Sequence, residues 1–144
     1  MEPHVPDILR VIQLVVAPVF LLTAVGTLIN ALNSRLGRAV DRRRVLEDKL
    51  RGGALAESAA LSARTELERI GQRVHIVYLA IFASVICALF ICLLIAGAFL
   101  GAFVATDLSR SIAILFVLAM VALIASLLLF LREIFLAVST PRHM

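Results

Sequence analysis

The chain of 144 residues has no tryptophan, one tyrosine, two cysteines and four prolines, and over three long stretches it has no Asp, Glu, Lys or Arg. Each scarcity excludes something. The cysteines, Cys87 and Cys92, lie five apart. On one helix that puts their Cα atoms about 8 Å apart, too far for a disulfide, so they read as small apolar residues. The three histidines, His4, His75 and His143, are scattered along the chain and suggest no metal cluster. No Phe, Trp or Tyr occurs between Leu21 and Val77, the stretch that holds most of the positive charge. A nucleic-acid surface would lack a stacking platform there. No glycine-rich phosphate loop or nucleophile motif is present, and the reading is of a protein that is not an enzyme and needs no cofactor.

The charge-free stretches, 11–34, 74–106 and 111–131, are the most informative absence. As helix they would reach about 36, 50 and 31 Å, against a hydrocarbon core of about 30 Å. With 62% hydrophobic residues, the chain carries more apolar surface than a soluble domain of this size can cover. A bilayer removes that need. The amino end carries Glu2, Pro3, Pro6 and Asp7 where a cleavable signal would be basic, so the first run is expected to remain as a span.

The charges that are present set the orientation. Residues 33–74 hold ten basic and six acidic side chains, and the rest of the chain sums to zero. The positive-inside rule therefore predicts that this segment is cytoplasmic, with the amino terminus outside and the carboxyl terminus inside. Within it Leu32, Leu36, Ala39, Leu46 and Leu50 recur at three- and four-residue spacing, interrupted by Arg43. The pattern resumes after Gly52-Gly53 and ends with Leu67, Ile70, Val74 and Val77. No proline lies between Ala31 and Arg73. The expectation is an antiparallel helical hairpin, with a disordered basic loop as the alternative.

The prediction is thus one all-α membrane domain. Three transmembrane helices span about 11–34, 75–100 and 110–131, and a cytoplasmic helical hairpin, about 35–74, extends the first two. Pro18 should kink the first span or separate a short interfacial piece before it. Asp107 is placed to cap the third helix.

Three sets of residues could carry function. Thr23, Thr27, Asn30 and Ser34 share one face of the first span and want polar partners in hydrocarbon. They suit hydrogen bonding within a bundle, or the lining of a pore formed by several copies. Ala80, Ser84, Ala88, Cys92 and Ala96, followed by Gly97 and Gly101, form a small-residue stripe on the second span. Ala122 and Ser126 do the same on the third. Such stripes allow close helix approach and point to a homo-oligomer, with packing inside one chain as the alternative. Arg35, Arg38, Arg42, Arg43 and Arg44 follow the first span; they suit anionic lipid headgroups, or serve only as a topology anchor. Arg132 and Glu133 end the third span; they suit pairing with the hairpin, or simply mark the interface, and as helix neighbours they should face different partners. Two functions of different class follow: an oligomeric ion channel or pore along the polar face, or a non-conducting scaffold docking a protein partner through the hairpin.

The segments 13–23 (QLVVAPVFLLT), 33–38 (NSRLGR) with Asp41-Arg42, and 128–137 (LLFLREIFLA) resemble a family of small bacterial membrane proteins, domain of unknown function 2721. The resemblance implies a three-span protein of the bacterial inner membrane and brings no activity, substrate or site residue with it.

Overall fold

The computed structural model describes residues 5–53, 56–104 and 106–139; the histidines at 4 and 143 and the carboxyl tail lie outside them. The described residues form three helices and no strand: α1, Val5–Arg51, α2, Glu57–Val104, and α3, Ser109–Ser139. All three are long and apolar enough to cross a membrane. At 1.5 Å per residue α1 and α2 are each about 70 Å long, more than twice the hydrocarbon thickness. α1 runs without interruption through Pro18, so no separate interfacial piece precedes the span.

The two long helices pair along one continuous seam. On α1 the buried positions Val25, Leu32, Ala39 and Leu46 recur every seven residues. On α2 the buried positions Ala63, Ile70, Val77, Ser84 and Ile91 do the same, Ser84 turning its hydroxyl to α3. A strict seven-residue repeat is the signature of coiled-coil packing, and here it passes from the apolar stretches into the charged segment without a break. In that segment Ala39, Leu46, Ala63, Ile70 and Val74 form one core, flanked by Leu36, Leu50 and Leu67. Arg43 falls where the seam would want an apolar residue; it is exposed and pairs with Glu47 at 3.1 Å. Arg42 bridges the two helices to Glu66 at 3.0 Å.

The turn between α1 and α2 is made by glycine. The Gly52 amide donates to the Asp48 carbonyl at 3.0 Å, and Gly53 takes φ +62°, the left-handed conformation that ends helices cheaply only at glycine. At the other end Gly101 lies under the connection to α3. A Cβ there would meet the Leu108 side chain at 3.2 Å and the Thr106 carbonyl at 3.3 Å. Asp107 caps α3 as its position suggested: the Ser109 amide donates to its carboxylate at 3.1 Å, and the Ser109 hydroxyl bonds the same oxygen. These two bonds, the hydroxyl foremost, hold the Asp107 carboxyl below the usual aspartate range.

α3 packs along α2 through a seam of small side chains, and α2 is the central helix. It buries 28% of its most apolar stretch, against 17% for α1 and 11% for α3. The remaining apolar surface is what lipid, or other chains, must cover.

Candidate functional site

Glu133 is the one charged side chain that the described residues bury, at 1% exposure. It sits two residues past the third charge-free run. Arg35 follows the first run directly, and Arg73 precedes the second directly. Antiparallel helices of matching register bring these three run ends to one level. The Arg35 Nη1 donates to Glu133 Oε2 at 2.7 Å. Arg73 donates to Oε1 from both Nε at 3.2 Å and Nη2 at 2.9 Å. Each helix therefore contributes one member of a clasp at the boundary of the apolar zone. The Arg35 guanidinium also lies 5.2 Å from the centre of the Phe130 ring, within cation–π range. A buried carboxylate is tolerable only when its lone pairs are met, and here both oxygens are. Its neighbour Arg132 is exposed, so the two adjacent charges do diverge.

Sequence reasoning singled out Arg35 and offered Glu133 the hairpin as one possible partner, but it named no residue there and gave Arg73 no role. The available signal was positional: all three lie within two residues of a charge-free run. Their pairing was not readable, because it depends on helix register and on the side of α2 that α3 occupies.

The small-residue stripe divides. Ala80, Ser84 and Ser126 are buried inside the chain, together with Ala119 and Cys87. The Ser84 and Ser126 hydroxyls are 2.5 Å apart, and each lies 2.9 Å from the Ala80 carbonyl. Two serines and one carbonyl thus close a polar knot between α2 and α3, where hydrocarbon offers no alternative partner. Ala88 and Ala122 flank the packed core of all three helices. Cys92 and Ala96 are exposed, Gly97 is half-buried with open space at its Cβ position, and Gly101 serves the turn.

The polar face of α1 lies on the outside of the chain. Thr23, Thr27, Asn30 and Ser34 are all exposed. The Thr23 hydroxyl donates to the Val19 carbonyl at 3.3 Å and Thr27 to the Thr23 carbonyl at 3.1 Å. Those two are satisfied by their own helix. Among the described residues the Asn30 amide and the Ser34 hydroxyl have no partner. Of the arginines after the span, Arg42 and Arg43 are engaged by Glu66 and Glu47 and Arg35 by Glu133. Arg38 and Arg44 are exposed and form no ion pair with a described residue.

These features define a multi-pass α-helical membrane protein with three spans clasped at one boundary. Over residues 15–143 the chain matches the family described as Protein of unknown function (DUF2721), and it belongs to that family. No curated protein and no solved structure matches it.

Proposed function

We propose that the protein is a homo-oligomeric channel of the bacterial inner membrane, with the polar face of α1 turned to the axis. The observation that carries this reading is Asn30: an exposed side-chain amide without a partner, inside a charge-free span. In hydrocarbon an unpaired amide costs several kcal/mol, so water or another chain must meet it. Gly26, one turn before it, and Gly37, two turns after it, have open space at their Cβ positions, which suits close approach of further α1 helices. The positive charge of residues 33–74 supports an orientation with the helical hairpin and the carboxyl terminus in the cytoplasm. The hairpin reaches about 25 Å beyond Arg35, and exposed Arg38 and Arg44 would draw anions to its mouth.

On the same face toward the amino end, Ile12, Val16, Val19 and Phe20 are exposed and apolar. That half acts as a hydrophobic constriction, of the kind that gates by dewetting. The test is conductance of purified protein in planar bilayers. Asn30→Leu should lower it and Val16→Ser should raise it. Absence of current, or an Asn30→Leu variant that conducts as wild type, sinks the channel reading.

A second reading, a non-conducting scaffold, draws on two observations. Thr23 and Thr27 bond within their own helix and so need no water, and Val45 and Leu61 are exposed on the hairpin arms. Crosslinking in native membranes would then recover a partner on the hairpin; recovery of self-contacts alone would count against it.

A further inference from the structure

We propose that Arg35 and Arg73, held by Glu133, form a binding site for the phosphate of an anionic phospholipid at the membrane boundary. One guanidinium would balance one carboxylate. The clasp has two, so a positive charge is left over on groups that are only partly hydrated, with side-chain exposures of 35% and 31%. Each guanidinium carries five N–H donors, and Glu133 engages one nitrogen of Arg35 and two of Arg73. Donors therefore remain for a further acceptor, in the planar geometry that suits phosphate oxygens. Glu133 orients both cations, and Phe130 supports Arg35 from the apolar side.

Depth selects the occupant. The clasp lies where all three charge-free runs end, which is where lipid headgroups lie. An anion that carries acyl chains is concentrated at that plane, whereas a free anion is not. The structure also narrows the basic cluster: Arg42 and Arg43 are taken by carboxylates of the hairpin, while Arg73, from the other helix, joins Arg35. This site needs the three spans but neither a pore nor an oligomer, so its failure and that of the channel are separate results.

The experiment is native mass spectrometry of the full chain released from detergent. Added phosphatidylglycerol is compared with phosphatidylcholine and with inorganic phosphate. Phosphatidylglycerol should be retained at least about fivefold more than phosphatidylcholine, and an equal concentration of inorganic phosphate should not displace it. Arg35→Gln and Arg73→Gln should each lose about fivefold in retention, the ratio for one charge near an anionic surface. Arg44→Gln, which removes the same charge elsewhere, should lose much less. Glu133→Gln, which removes the counter-charge, should retain phosphatidylglycerol at least as well as wild type. If the Gln variants do not fold, as read by circular dichroism, Arg35→Lys and Arg73→Lys should keep a reduced lipid preference, since the charge stays and the planar fork is lost. Equal retention of both lipids, displacement by inorganic phosphate, or an equal loss with Arg44→Gln overturns the site. A Glu133→Gln loss as large as that of Arg73→Gln, or loss of the preference in the Lys variants, does so too.

Discussion

The Arg35 guanidinium reaches across 98 residues of sequence to the Glu133 carboxylate, 2.7 Å away. The bond links the first helix to the third, each of which packs mainly on the second. Glu133 also receives Arg73, so its removal would leave two partly buried cations unpaired. Glu133→Ala should lower stability by about 3–5 kcal/mol, and Glu133→Gln, which keeps one acceptor, by about 1–3 kcal/mol. Unfolding midpoints in detergent measure both. A double-mutant cycle with Arg35→Gln should be non-additive by at least about 0.5 kcal/mol. A Glu133→Ala midpoint equal to wild type would show that the clasp does not hold the helices together.

The Ser84–Ser126 knot predicts a graded response. Ser126→Ala removes one hydroxyl and should cost about 0.6–1.7 kcal/mol, the range for hydrogen bonds between membrane helices. Ser126→Leu has nowhere to go, since Ser126 is fully buried beside the Ala80 backbone. Thermal scans should show Leu far more damaging than Ala; equal effects would mean that α3 is not seated on Ala80.

In the hairpin the seam and the surface pairs should separate cleanly. Leu46 is buried at 4% exposure, and Leu46→Ala should cost about 2–4 kcal/mol by leaving a cavity. Arg42→Ala breaks a solvent-exposed pair with Glu66 and should cost under about 1 kcal/mol. Proteolysis of the hairpin in intact protein reports both.

Gly53 is held at φ +62°, where a Cβ is strained. Gly53→Ala should cost about 1–2 kcal/mol, although nothing lies within 4 Å of the added carbon. A neutral substitution would show that the turn does not require this conformation.

The Asp107 cap should be sensitive to acid. Its carboxyl is held below the ordinary range in the folded chain, so the stability it contributes is complete above the ordinary aspartate range. It is lost as the pH falls through the lowered value. Asp107→Asn keeps an acceptor for the Ser109 amide and should remove this acid sensitivity, while Asp107→Ala should lower the midpoint even at neutral pH. Melting curves of the three proteins from neutral to strongly acidic pH decide it.

Several elements were legible because their causes are local. Gly52-Gly53 ends α1 because the turn needs a left-handed residue, and Asp107 caps α3 because Ser109 is two residues away. The hairpin seam was legible from Leu32 to Leu50, though only the folded chain shows the same repeat running unbroken from Val25 on α1 and to Ile91 on α2. The small-residue stripe shows where local reasoning stops. Its spacing says that another helix comes close, not whether that helix belongs to the same chain. Ala80 and Ser84 meet α3 of their own chain, while Cys92 and Ala96 remain exposed.

By itself the sequence determined the solvent, the number of crossings and the helical pairing. Each follows from composition or from a period, and both act over a few turns of one helix. Only the tertiary structure decided that Arg35 and Arg73, out of ten basic residues in one segment, meet at Glu133. That choice depends on the relative register of three helices and on which flank of α2 carries α3. Packing across the whole bundle sets both.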